Sequence, residues 1–313
     1  MHEIFMAAAR GSLMADANSA FTTLHAEDDL TVLEQCTADG DVYRWLCRRQ
    51  HNGSSHGGRD GLLAETVVRV VAVAAKDGVC TRSGPRTTFD RNILLPQYHV
   101  AMVAALGLCE LPLRRALFLG VGGGALVMHV RERHPACICE CVEPDERALD
   151  LGQRYFGLRP GPGVRLHSVG AAEYVRRRRC CGASFDAIFL DASTSSHIDD
   201  DPNGDDDDMR APPPSLRHAA VLRELFGALH DGGVLAVNAL AARGCERGVA
   251  ALRAEVGAVA DATVGLSCEE EGNHVLVGCS ASRPGAHAGL AALPRAKRSL
   301  WLEACAQLGL GVT

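Results

Sequence analysis

Three observations predict an α/β fold built on a doubly wound, mostly parallel sheet. From residue 116 onward, strand-length apolar runs alternate with helical segments. The first of these strands runs into a glycine-rich turn, "ALFLGVGGGALVMHV" (116–130), and the second ends on an acid, Glu143, in "CVEPD". Such alternation stacks βαβ units into one open sheet, whose ligands lie beyond the carboxyl ends of its strands.

The elements follow in order. Residues 1–60 are mixed in character and become rich in Gly, Ser and His toward "RRQHNGSSHGGRDG", which reads as a linker or surface loop. "ETVVRVVAVAA" (65–75), "GVCTRS" (78–83) and "RTTFD" (86–90) read as short strands separated by Asp-Gly and Gly-Pro turns, a small antiparallel β unit. "PQYHVAMVAALGL" (96–108) has helical periodicity and stops at Leu-Pro. The parallel strands are then "ALFLG", "ACICECVE" (136–143), "VRLHSV" (164–169), "FDAIFLD" (185–191) and "VLAVNAL" (234–240). Between them lie the helices "DERALDLGQRYFG", "AAEYVRRRR" and "SLRHAAVLRELFGALH" (215–230). A helix over 244–257 leads to two further strands, "DATVGLS" and "NHVLVGC", and "PRAKRSLWLEACAQLGL" closes the chain as a helix. The predicted division is a poorly defined segment (1–60), a small β unit plus helix (61–110), a nucleotide-binding domain (111–283) and a C-terminal helix (284–313).

Composition narrows the function. The chain has 313 residues and a formal net charge of −6, which argues against a general nucleic-acid binder. No apolar run reaches the roughly 20 residues of a membrane span. The N-terminus carries acids and lacks a long apolar stretch, a poor signal peptide, although an organelle presequence stays open. The 13 cysteines are odd in number and spread through apolar segments, which fits reduced thiols in a cytosolic core. Cys137, Cys139 and Cys141 alternate along one strand and read as small buried hydrophobes rather than metal ligands. Cys180 and Cys181 read as incidental.

Gly120, Gly122, Gly123 and Gly124 let the backbone turn tightly and approach a ligand, and the segment from Leu126 opens a helix whose N–H groups face it. With Ala125 the loop satisfies a dinucleotide fingerprint, yet such turns also serve S-adenosylmethionine (SAM) and flavins. Glu143 can accept both ribose hydroxyls of a nucleoside lying over the loop, in either a nicotinamide or a SAM enzyme. Downstream, "LHDGGVLAVN" (229–238) resembles the corresponding segment of class I methyltransferases, and the strand pair after it fits their seven-stranded sheet. No second ligand domain is evident, so methyl transfer is favoured over hydride transfer.

Taken in order, "ALFLGVGGG", "ERHPACICECVEPDERALDLGQRYFGL", "VRLHSVGAAEYV", "FDAIFLDAS", "APPPSLRHAAVLRELFGALHDGGVLAVN" and "GNHVLVGCS" resemble the spermidine-synthase-like branch of the Rossmann-like class I SAM-dependent methyltransferases. Within it, the likeness is to the C-terminal domain of the methyltransferase family that acts on translation elongation factor 1-alpha. It covers roughly residues 95–282. The resemblance implies SAM as cofactor, held by Gly120, Gly122, Gly123, Gly124, Glu143, Pro144, Gly170, Ala171 and Asp191. It also implies Asp191, Tyr98 and His99 at the acceptor, which would be a protein amine (an N-terminus or a lysine), and a homodimer formed through the N-terminal β unit.

The runner-up is a polyamine aminopropyltransferase. Against it, Gly123 stands where those enzymes carry an acid in the glycine loop. Their Asp-Gly after the third strand is Gly170-Ala171, and the second acid of their D-S-S-D is Thr194. Losing the loop acid removes repulsion toward the methionine carboxylate of intact SAM. Losing the acid at Gly170 removes a contact to adenine, which keeps open a third reading, a non-catalytic SAM-fold binding protein.

The run "HIDDDPNGDDDDMR" (197–210) begins like a calcium loop at Asp199, Asp201, Asn203 and Gly204, but Arg210 stands where the bidentate Glu belongs. Calcium is therefore rejected and no metal is expected. As a solvated insertion, the run would draw a cationic substrate. The Arg176–Arg179 run complements a helix C-terminus.

Overall fold

Two sheets carry the chain through the residues that the computed structural model describes: 20–50, 61–71, 87–178, 184–193, 209–241, 246–268, 272–281 and 289–313. The first sheet is wholly antiparallel and comprises β1 (Ala20–Glu27), β2 (Leu30–Cys36), β3 (Val42–Gln50), β4 (Gly61–Val71) and β5 (Thr88–Phe89), in that spatial order. It starts earlier than the sequence pattern suggests, since three of its strands lie in the segment assigned no element. The reason is buried charge. Glu34, Arg44 and Arg48 are all buried and interrupt the alternation by which a half-buried strand is read. Arg44 donates to Glu34 at 2.9 Å and to the Tyr155 carbonyl at 2.8 Å. Such charges persist in a core only when paired and hydrogen-bonded. The expected strand at 78–83 lies outside the described residues, as do Cys180, Cys181, Thr194 and the Asp-rich run up to residue 208.

After α1 (Gln97–Ala104) the chain alternates β6 (Arg115–Leu119), α2 (Ala125–Arg133), β7 (Ile138–Val142), α3 (Glu146–Tyr155), β8 (Val164–His167), α4 (Ala171–Arg178) and β9 (Phe185–Leu190). Then come β10 (Met209–Ala211), α5 (Pro214–Arg217), α6 (Ala219–Gly227), β11 (Leu229–Ala241), α7 (Glu246–Gly257), β12 (Ala262–Cys268), β13 (Asn273–Cys279), α8 (Arg295–Gln307) and β14 (Gly311–Val312). The strand order β8-β7-β6-β9-β11-β13-β12 is the expected seven-stranded sheet, parallel from β8 to β11 and antiparallel beyond. The short strands β14 beside β12 and β10 beside β11 widen it to nine.

Two local expectations change. The helix expected over 215–230 is two helices, because the backbone at His218 is extended (φ −68°, ψ 140°). β11 also begins at Leu229, before the Gly-Gly turn rather than after it. Leu229 pairs with Phe185, and the register slips before pairing resumes at Val234.

The parallel strands read as continuous apolar runs because helices cover both faces of the sheet. In β6, Leu117 and Leu119 join the core on one face, while Ala116 and Phe118 join the core on the other. Cys137, Cys139 and Cys141 are fully buried in that second core beside Leu126 and Val130.

The order reverses between β6 and β9, so the chain diverges on either side of that pair and opens a crevice at their carboxyl ends. There the backbones nearly touch. Gly120 has φ +89°, and a Cβ on it would lie 2.2 Å from the Asp191 carbonyl oxygen.

Two stability predictions follow from this frame. Gly120→Ala adds backbone strain of about 1–3 kcal/mol and a clash with Asp191, so its denaturant midpoint should fall clearly below wild type; an unchanged midpoint would contradict the close approach. The second concerns Glu140, buried on β7. Burial pushes its carboxyl up, but His167 at 2.8 Å, Arg115 at 2.7 Å and Arg165 at 3.1 Å outweigh this and leave it below the ordinary value of 4.5. Because the folded state holds that proton more weakly, the contribution is complete above pH 4.5 and is lost as the pH falls through the depressed value. Acid titration of unfolding should therefore be shallower for Glu140→Gln than for wild type, whereas parallel curves would refute the role.

Candidate functional site

The crevice is a cavity of about 490 Å³, within the roughly 300–1,000 Å³ usual for small-molecule sites. Tyr98, His99, Gly120, Gly122, Glu143, Pro144, Gly170, Ala171 and Asp191 all line it. Gly123 and Gly124 do not. A Cβ at Gly123 would lie 2.9 Å from the Thr66 side chain and 3.0 Å from Phe156, and one at Gly124 would lie 2.8 Å from Leu158. These two glycines serve packing behind the loop.

The loop amides are already engaged. Glu143 Oε2 accepts from the N–H of Val121 (3.0 Å) and of Gly122 (3.3 Å), and its Oε1 accepts from Asp145 N–H (3.2 Å). Gly123 N–H donates to Thr66 Oγ1 at 2.8 Å, Gly120 N–H to the Val142 carbonyl and Gly124 N–H to the Val121 carbonyl. A pyrophosphate laid on this loop would find these N–H groups taken, which disfavours a dinucleotide despite the fingerprint. A carboxylate offers about four lone-pair sites; three are taken here, so Glu143 keeps one, on Oε1, for a hydroxyl donor, where the sequence predicts that it accepts both ribose hydroxyls.

Asp191 follows β9, and its own N–H continues the ladder to the Leu119 carbonyl at 2.8 Å. His99 Nε2 on α1 lies 3.1 Å from Asp191 Oδ2, and Asn238 Nδ2 on β11 donates to Oδ1 at 2.8 Å. Asn273 on β13 in turn donates to Asn238 Oδ1 at 2.8 Å. His99 Nδ1 is buried without a hydrogen-bond partner among the described residues. The imidazole proton therefore belongs on Nε2, facing the carboxylate, since an unpaired N–H there would cost more. Tyr98 packs on His99 with ring centroids 4.4 Å apart. Gly170 has open space where a Cβ would be.

Sequence reasoning missed Arg48, Glu65 and Thr66, which the first sheet brings to the cavity wall, and the Asn238–Asn273 pair. Asn238 carried a legible signal, an amide inside the apolar run 234–240, whereas Asn273 opens β13 beside His274 and carried none. Nothing local marks Arg48 or Thr66. Among the described residues, no three His, Cys, Asp or Glu side chains are grouped to hold a metal ion, and no helix is long and apolar enough to cross a membrane.

No family model matches the chain. It is 30% identical over 134 residues to a polyamine aminopropyltransferase of Vibrio vulnificus, covering 42% of this chain and 43% of that one. It is 26% identical over 122 residues to the eEF1A lysine and N-terminal methyltransferase of Homo sapiens, covering 36% of this chain and 17% of that one. The chain thus spans less than half the length of these relatives. Among solved structures it is similar to human methyltransferase-like protein 13 in complex with SAH, with TM-score 0.53 and 24% identity over 68% of this chain and 92% of that one. Spermidine synthase from Thermotoga maritima gives TM-score 0.51 and 14% identity over 84% and 74%. The chain has the class I SAM-dependent methyltransferase fold, extended by an N-terminal antiparallel sheet.

Proposed function

We propose that this chain is a SAM-dependent methyltransferase acting on a protein amine, a lysine or an N-terminus. The carrying observation is a cavity at the switch point with Glu143 on one side and a fixed Asp191 on the other, while Gly123 has no room for a side chain. By the resemblance, an aminopropyltransferase needs an acid at that glycine. The name of the human relative, a lysine and N-terminal methyltransferase, supports the same reading.

Glu143 would hold a ribose hydroxyl with the one lone pair its three backbone contacts leave, and Gly120 and Gly122 admit the ligand close to the main chain. When bound, SAM supplies an electrophilic methyl group on a sulfonium. The protein's task is then mainly positioning. Asp191, held at Oδ2 by His99 and at Oδ1 by Asn238, orients the acceptor amine and takes the proton that it sheds. Five carboxylates (Glu65, Glu143, Asp145, Glu173 and Asp191) line the cavity against two guanidiniums, Arg48 and Arg176, which favours a cationic acceptor. The buried unpaired thiols of Cys137, Cys139 and Cys141 support a reducing, cytoplasmic setting. A homodimer through the first sheet is part of the same proposal, and sedimentation tests it.

The second reading, aminopropyl transfer, draws on the Vibrio relative and on the shared fold. Labelled methyl transfer into a lysate of basic proteins tests the first. Wild type should label lysine or N-terminal amines, and Asp191→Ala should lower the rate about 10²-fold or more. Glu143→Ala should weaken SAM binding about tenfold or more, the scale of a hydrogen bond to a charged group. Undiminished labelling by both variants would refute these roles, and transfer of an aminopropyl group to a diamine would replace the reading.

A further inference from the structure

The proposed cofactor site is bounded on one side by an element outside the nucleotide-binding sheet. Arg48 on β3 is buried, yet its guanidinium meets three carboxylates from three separate segments. Nε donates to Glu65 on β4 at 2.6 Å, Nη1 to Asp29 in the turn after β1 at 2.5 Å, and Nη2 to Asp145 at 3.2 Å. Asp145 is the N-cap of α3, and its own N–H is the donor to Glu143 Oε1. Arg147, on the exposed side, also grips Asp145.

From β4, Thr66 Oγ1 takes the Gly123 N–H. The three consecutive amides of Val121, Gly122 and Gly123 are thus divided between Glu143 and Thr66. Without Arg48, Glu65 and Asp145 would face Glu143 with one buried cation fewer among them. Without the Thr66 oxygen, Gly123 would keep a buried N–H with no acceptor.

We infer that Arg48 and Thr66 are positioning residues for ribose recognition, so that the first sheet sets the orientation of the glycine loop and of Glu143. This rests on the SAM reading above. It assigns the N-terminal sheet a part in cofactor selectivity, separate from any role in assembly. Neither side chain needs to touch the reacting atoms.

The test uses the full chain and two probes, 5′-methylthioadenosine and its 2′-deoxy counterpart, titrated by calorimetry. A hydrogen bond to a charged group corresponds to roughly tenfold or more in affinity, so wild type should prefer the ribose form by about that factor. Glu143→Ala should abolish the preference. In Thr66→Val, which keeps the side chain's shape, and in Arg48→Met, the preference should shrink to about threefold or less, while exchange of the Gly123 amide speeds up in Thr66→Val. A purely structural role would lower thermal stability and leave the ratio of the two affinities intact. Should Arg48→Met fail to fold, Thr66→Val decides alone. A full ribose preference in a folded Thr66→Val protein would overturn the inference and leave the SAM reading standing. If wild type bound neither nucleoside, the SAM reading would fall and the inference with it.

Discussion

The site depends first on the close approach of two backbones, Gly120 after β6 and Asp191 after β9. Neighbouring parallel strands lie about 4.8 Å apart, and here both chains leave the sheet at the same level while still sharing the hydrogen bond from Asp191 N–H to the Leu119 carbonyl. Only a residue without Cβ fits at position 120, because its outward path passes the Asp191 carbonyl. From that point the glycine loop runs into α2, and Asp191, Ala192 and Ser193 stand across from it in the cavity lining. The cavity is the gap they leave. Everything that gives the crevice chemical character is placed relative to this pair.

Polar groups inside such a crevice are costly unless each is satisfied. Asp191, Asn238 and Asn273 form a chain in which every step is a donor facing an acceptor, crossing from β9 to β11 to β13, and His99 enters from α1. Asn238 replaces what the flanking Val237 and Ala239 would predict as apolar core. A local departure from core pattern of this kind is expected at a functional site, where specificity of geometry outweighs the loss of apolar packing. The same logic holds at the other wall, where Arg48 gathers three carboxylates. The two polar systems meet the cavity from opposite sides, and the apolar strands between them keep each in place.

Much of the fold was legible because parallel strands covered by helices on both faces leave nearly continuous apolar runs, and β6, β7 and β9 are such runs, broken inside only by Glu140 in β7 and Asp186 in β9. Glu143 and Asp191 were legible for a related reason: an acid at the end of such a run has to point beyond the sheet. The first sheet was not legible, because Arg44 is satisfied by Glu34 and the Tyr155 carbonyl, and Arg48 by Asp29, Glu65 and Asp145, so a strand that is buried looks charged. Arg48 and Thr66 act across more than 50 positions of chain, on Asp145 and Gly123, and no spacing rule reaches that far. The glycine loop misled in a third way. Its spacing allows a dinucleotide, yet its amides are turned inward to Glu143 and Thr66, a matter of hydrogen-bond direction that letters do not carry.

The central claim is that this crevice takes intact SAM. Calorimetric titration of the full chain with SAM and with decarboxylated SAM tests it most directly. Because Gly123 has no room for the acid that the resembling aminopropyltransferases carry there, SAM should bind at least as tightly as the decarboxylated form. A clear preference for decarboxylated SAM would contradict the account and favour aminopropyl transfer, and binding of neither would make the crevice something other than a SAM site.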